Sequence, residues 1–98
     1  STSLMVANAE RSIVANPQDA LAWRALGDAH SSSGEWARAA KAYEEALRLA
    51  PSDSQSMTNL ASTYCKRYDR NQLNNVIQET RRSNPNLSEQ IVRSCILP

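Results

Sequence analysis

Residues 49–53 read LAPSD, and they halt a helix that everything before them favours. The preceding stretch, EWARAAKAYEEALRL over 35–49, is built from Ala, Glu, Arg and Leu, all strong helix formers. Pro51 removes a backbone donor and biases Ala50 away from helical angles. The same break occurs in ANPQD at 15–19 and in SNPNL at 83–87. Pro17, Pro51 and Pro85 therefore stand 34 residues apart, and the chain is punctuated at a fixed period.

Between these stops the pattern is helical throughout, and nothing reads as a strand. Met5, Ala9, Ser12 and Ile13 form a stripe that predicts a helix over about residues 3 to 15. Asp19 is placed to cap a second helix with Trp23, Leu26, Gly27 and His30 on one face. SSSGE at 31–35 interrupts it, with Gly34 suited to a turn between antiparallel helices. A third helix turns Trp36, Ala39, Ala40, Tyr43, Ala46 and Leu47 inward. After Pro51, Ser52 and Gln55 are spaced as a capping box for a fourth helix carrying Met57, Leu60, Ala61 and Tyr64. Asp69 is expected to cap a fifth, with Leu73, Val76, Ile77 and Thr80 inward. A last segment after Pro85 shows Leu87, Ile91 and Cys95 on one side.

With the 34-residue period, Trp23, Leu26, Gly27 and His30 align with Met57, Leu60, Ala61 and Tyr64. Ala39, Tyr43, Ala46 and Pro51 align in the same way with Leu73, Ile77, Thr80 and Pro85. Residues 23–51 thus read Trp23-x2-Leu26-Gly27-x2-His30, then Ala39-x3-Tyr43, then Ala46 and Pro51. This resembles the tetratricopeptide repeat, a helix-turn-helix unit with the pattern W-x2-L-G-x2-Y, A-x3-F and P. His30 and Tyr43 depart from it. The second unit is degenerate, with Met57 for Trp, Ala61 for Gly and Leu73 for Ala. The resemblance implies an all-α fold of about six helices, in antiparallel pairs stacked as a short right-handed α-solenoid. It divides the chain as one domain, 1–98. Residues 1–17 form the second helix of a preceding unit, 18–51 a full repeat, 52–85 a degenerate repeat, and 86–98 a partial or capping helix. One helix pair cannot bury its apolar face, so neighbouring units must stack.

The bulk composition excludes several roles. Eleven Lys and Arg against ten Asp and Glu give a formal charge of +1, evenly spread, so nothing announces nucleic acid. No apolar run approaches membrane-spanning length. Two cysteines, Cys65 and Cys95, make no disulfide framework and lack the paired spacing of a zinc site, which favours a reducing, cytoplasmic setting and no metal. Two glycines leave no phosphate-cradling loop. His30 stands where the resembling family carries an inward tyrosine, so it is expected to pack and not to act as a base. Neither catalysis nor a cofactor is expected. Lys66, Arg67, Arg81 and Arg82 fall at helix C-termini, where the helix dipole favours cations. Cys95-Ile96-Leu97-Pro98 has the outline of a prenylation box, but proline is unusual in its last place, and packing of Cys95 and Ile96 is expected instead.

The resemblance also implies a function. In the family, the first helix of each unit lines a concave groove that holds peptides or partner helices. The residues facing away from the packing stripe on those helices are Leu21, Arg24, Asp28 and Ser31, then Gln55, Thr58, Asn59, Ser62 and Lys66. They form the expected groove of a protein–protein interaction scaffold, with Arg24 and Asn59 as its leading polar contacts. The expected partner is a protein or peptide, and neither nucleic acid nor a membrane. The alternative is a structural module within a larger array, or a homo-oligomer or domain swap through incomplete end units.

Overall fold

In the computed structural model, residues 2–96 are described, and all their regular structure is helical. The helices are α1 (Thr2–Ala15), α2 (Ala20–Ser32), α3 (Trp36–Leu49), α4 (Ser54–Arg67), α5 (Arg70–Ser83) and α6 (Pro85–Cys95). Leu97 and Pro98, the last half of the prenylation-like tetrapeptide, lie outside the described residues.

Short acidic or amide side chains start four of these helices. Asp19 accepts from the Leu21 amide at 3.0 Å, Asp69 from Gln72 at 3.2 Å, and Asn84 from Leu87 at 3.2 Å. Each satisfies one of the free amides of a first turn. Pro85 follows Asn84 at the first helical position, where its missing donor is harmless. The start of α4 differs from the expected capping box. Asp53, not Ser52, is the cap, accepting from the Gln55 amide at 3.2 Å and from Ser56 Oγ at 2.7 Å. The Gln55 side chain, freed from that box, donates to Asn59 Oδ1 at 2.9 Å. A carboxylate is a stronger acceptor than a hydroxyl, and Asp53 also holds a cation from α2, described below.

The inter-helix turns repeat as well. Gly34 adopts φ +72° between α2 and α3. Tyr68, in the same place 34 residues later, adopts φ 59° between α4 and α5 while its side chain stays in solvent. Glycine enters this left-handed region without strain, and tyrosine does not.

Successive helices pack against one another along the whole array, and α2 also touches α4, as α4 touches α6. No contact joins α3 to α5. The array therefore closes up along the α2–α4–α6 side and opens along the other. Ala39, Ala40 and Tyr43 of α3 join Leu60, Ala61 and Tyr64 of α4 in one apolar core, which Leu73, Val76 and Ile77 of α5 and Leu87 and Ile91 of α6 complete. Four hydroxyls are buried with them: Ser56, Thr63, Thr80 and Ser88. Thr63 donates to the Asn59 carbonyl at 2.8 Å, and Ser88 to the Ile77 carbonyl at 3.1 Å. Bonds of this kind let a hydroxyl enter a core without an unmet polar group.

The expected stripe of α1 is only partly covered. Ala9 is buried, but Met5 is 45% exposed and Ser12 is in solvent, bonding the Asn8 carbonyl. Ile13 is half-buried, and among the described residues α1 packs on α2 alone, which leaves its stripe only partly covered. Ile96, expected to pack, is likewise exposed, while Cys95 does pack against the core.

α2 and α3 approach each other closely at Gly27. A Cβ built on Gly27 would lie 2.5–2.9 Å from the Tyr43 ring. That ring cannot swing aside, because Tyr43 is 2% exposed and its hydroxyl is bonded at the far end. Alanine at a helix position is favoured over glycine by about 1 kcal/mol, whereas forcing a methyl group into a packed site costs about 1–3 kcal/mol. Gly27→Ala is accordingly expected to destabilise the chain, with a thermal midpoint several degrees lower. An unchanged or raised midpoint would show that α2 and α3 can separate.

Candidate functional site

The side on which α2, α4 and α6 lie together carries two cavities that meet. The first, about 260 Å3, lies between α2, α3 and α4, with Asp28, Ser31, Trp36, Asn59, Ser62 and Lys66 in its lining. The second, about 280 Å3, lies between α4 and α6, lined by Thr58, Ser62, Lys66, Gln90, Ile91 and both cysteines among others. Ser62 and Lys66 belong to both, which makes one trough of them.

A polar chain forms the wall of the first cavity. Gln55 donates to Asn59, and Asn59 Nδ2 donates to Asp28 Oδ1 at 3.1 Å. The Tyr43 hydroxyl donates to the same oxygen at 2.5 Å and lies 3.3 Å from Ser31 Oγ. Burial of Tyr43, reinforced by Asp28, raises its hydroxyl pKa well above the ordinary phenolic value. The tyrosine thus stays protonated and serves as a fixed donor to Asp28. At the other end Lys66 Nζ stands 5.1 Å from the centre of the Trp36 ring, a cation held over an aromatic face. Among the described residues no carboxylate lies within ion-pair distance of Lys66.

Of the nine residues expected to line a groove, Asp28, Ser31, Thr58, Asn59, Ser62 and Lys66 line this trough. Leu21, Arg24 and Gln55 do not. Leu21 is 62% exposed. Gln55 supports Asn59 from behind. Arg24 Nη1 lies 3.1 and 3.3 Å from the two carboxylate oxygens of Asp53, so its charge joins α2 to the cap of α4. Trp36 was expected as a packing residue and is half-buried, with its ring also serving as the seat for Lys66. Gln90 and Ser94 of α6 were missed, because the α6 segment carries few residues of the repeat pattern.

His30 does more than fill a packing place. Its Nδ1 lies 3.2 Å from Glu35 Oε1 across the turn. That hydrogen bond, aided by Arg38, holds the Glu35 carboxyl below the ordinary carboxylate range despite partial desolvation. Among the described residues no group of three or more His, Cys, Asp and Glu converges on one point. No described helix is long and apolar enough to cross a membrane.

The tetratricopeptide repeat model matches residues 20–53, from the first residue of α2 to the cap of α4. Residues 20–53 thus carry a tetratricopeptide repeat, within an array whose described regular structure is all helical. No curated protein matches the chain. Such repeats generally serve as protein–protein interaction scaffolds.

Asp53 is where one end of this array can be tested. Burial raises its pKa, but the Ser56 hydroxyl, the Arg24 charge and the Gln55 amide together outweigh that effect and hold it below the ordinary aspartate value of 3.8. A folded-state pKa below the unfolded one means that the stabilisation is complete above the unfolded value and is lost as pH falls through the folded one. Asp53→Asn should therefore destabilise the chain by about 1–2 kcal/mol at pH 7, through the weakened cap and the lost ion pair. In urea titrations the gap between variant and parent should shrink below pH 4. A gap that stays constant with pH would mean that the Asp53 charge contributes nothing.

Proposed function

We propose that this tetratricopeptide array binds an extended peptide or partner helix along the α2–α4–α6 trough, without catalysis. The observation that carries the reading is Lys66. It is a cation with no carboxylate partner among the described residues, seated on Trp36 at the junction of two cavities on the face where the helices draw together. Asn59, Ser62 and Thr58 flank it along α4. All are mounted on helices, which lowers the ordering cost of binding. Arg24, Gln55 and Leu21 act from the margin, Arg24 by fixing α4 against α2. The two free thiols accord with a reducing, cytoplasmic setting.

Trp36 reports directly on this site. An arrayed set of extended synthetic peptides would find a ligand, and Trp36 fluorescence would follow its titration. Lys66→Ala and Asn59→Ala should each weaken that ligand about tenfold, equivalent to about 1.4 kcal/mol. Affinities unchanged in both variants would remove the trough from consideration.

Exposed apolar residues favour a second reading, self-association through the α1 end. Leu4 is 59% exposed, Val14 82% and Leu21 62%. These units would stack on a further copy of the repeat. In light scattering the apparent mass should then rise with concentration, and Val14→Glu should return it to that of one chain. A constant single-chain mass at high concentration would rule the reading out.

A further inference from the structure

α4 and α6 meet near their C-terminal ends, and each brings one cysteine to the contact. Cys65 Sγ lies 3.8 Å from the Cys95 carbonyl oxygen. Cys95 Sγ lies 4.0 Å from the carbonyl oxygen of Ala61, one turn before Cys65 on α4. Each sulfur thus reaches over the helix that bears the other. Burial, reinforced by the neighbouring Cys65, pushes the Cys95 thiol up to about 12. Neither is sealed in. Both are half-buried, and both line the 280 Å3 cavity on one side and another of about 230 Å3, beside Tyr68 and Ile96, on the other.

We propose that Cys65 and Cys95 are a reversible disulfide-forming site that fastens α6 to α4 when a low-molecular-weight disulfide such as glutathione disulfide oxidises them. One protein thiolate attacks a sulfur of glutathione disulfide, which breaks the S–S bond and releases one glutathione thiolate. The second protein thiol gives its proton to solvent and attacks the protein sulfur of the mixed disulfide, expelling the second glutathione thiolate. Both leaving thiolates take up protons. Two protein thiols are oxidised and one disulfide is reduced, so electrons and atoms balance. The closed bond joins helices 30 residues apart in sequence and removes freedom chiefly from the unfolded chain. In a reducing cytoplasm such a bond is transient, which suits a signal better than a permanent staple. The inference rests on the α4–α6 contact and does not depend on a ligand in the trough.

The experiment treats the chain with glutathione disulfide, then alkylates it and reads its intact mass and thermal midpoint. The expected product is a single chain lighter by two hydrogens, with no alkylated thiol and a midpoint raised by several degrees. Dithiothreitol should reverse all three. Cys65→Ser and Cys95→Ser should each give only a glutathione adduct or an unmodified thiol, with no such rise. If the parent chain keeps both thiols open to alkylation, holds only glutathione adducts, or links only between chains, the proposal is wrong. The parent measurement decides this even where a serine variant does not fold.

Discussion

The close approach of α2 to α3 at Gly27 governs much of what the molecule presents to solvent. Because position 27 has no side chain, the Tyr43 ring can press against the α2 backbone and extend its hydroxyl to Asp28. Asp28 in turn holds Asn59 of the next helix pair. A packing constraint inside one pair is thus relayed as a polar contact between pairs. The relay ends in the trough wall, so the geometry of the proposed binding surface is inherited from the core.

A second tie runs parallel to it. Arg24 and Asp53 link α2 to the start of α4, and the same carboxylate that caps the helix receives the cation. An exposed ion pair contributes little on its own, but here both side chains are partly covered and one is also fixed by local amide and hydroxyl donors. Placement of α4 relative to α2 is therefore set at two points, Arg24 on Asp53 at the start of α4 and Asp28 on Asn59 further along it.

Much of this was readable beforehand, and the exceptions have physical causes. The prolines at 17, 51 and 85, the capping Asp and Asn residues and Gly34 locate most of the helix ends, because they act through backbone sterics and local hydrogen bonds. The burial of Leu73, Val76, Ile77 and Thr80 follows from helical periodicity alone. Ser52 and Asp53 are adjacent and both able to cap, and the cap is Asp53, which stands 34 residues after the cap Asp19 and also receives Arg24 from another helix. Arg24 faces outward on its own helix, so sequence spacing assigns it to the groove. Its partner lies 29 residues away and is visible only once α2 and α4 are placed. The seating of Lys66 on Trp36, and the meeting of Cys65 with Cys95, are long-range in the same sense. Ser56, Thr63 and Ser88 escaped because hydrophobic patterns give no sign that a hydroxyl will satisfy itself on a nearby carbonyl or carboxylate.

The missing contact between α3 and α5 has a mechanical meaning. On the α2–α4 side, the array is stitched by the Arg24–Asp53 and Asn59–Asp28 bonds, while its outer ridge has a gap floored by Met57, Leu60 and Tyr64 of α4. Bending strain will therefore collect at the ridge, with the polar stitches as the pivot. Any change in the curvature of the array would open or close this gap first, at the expense of the apolar side chains that floor it.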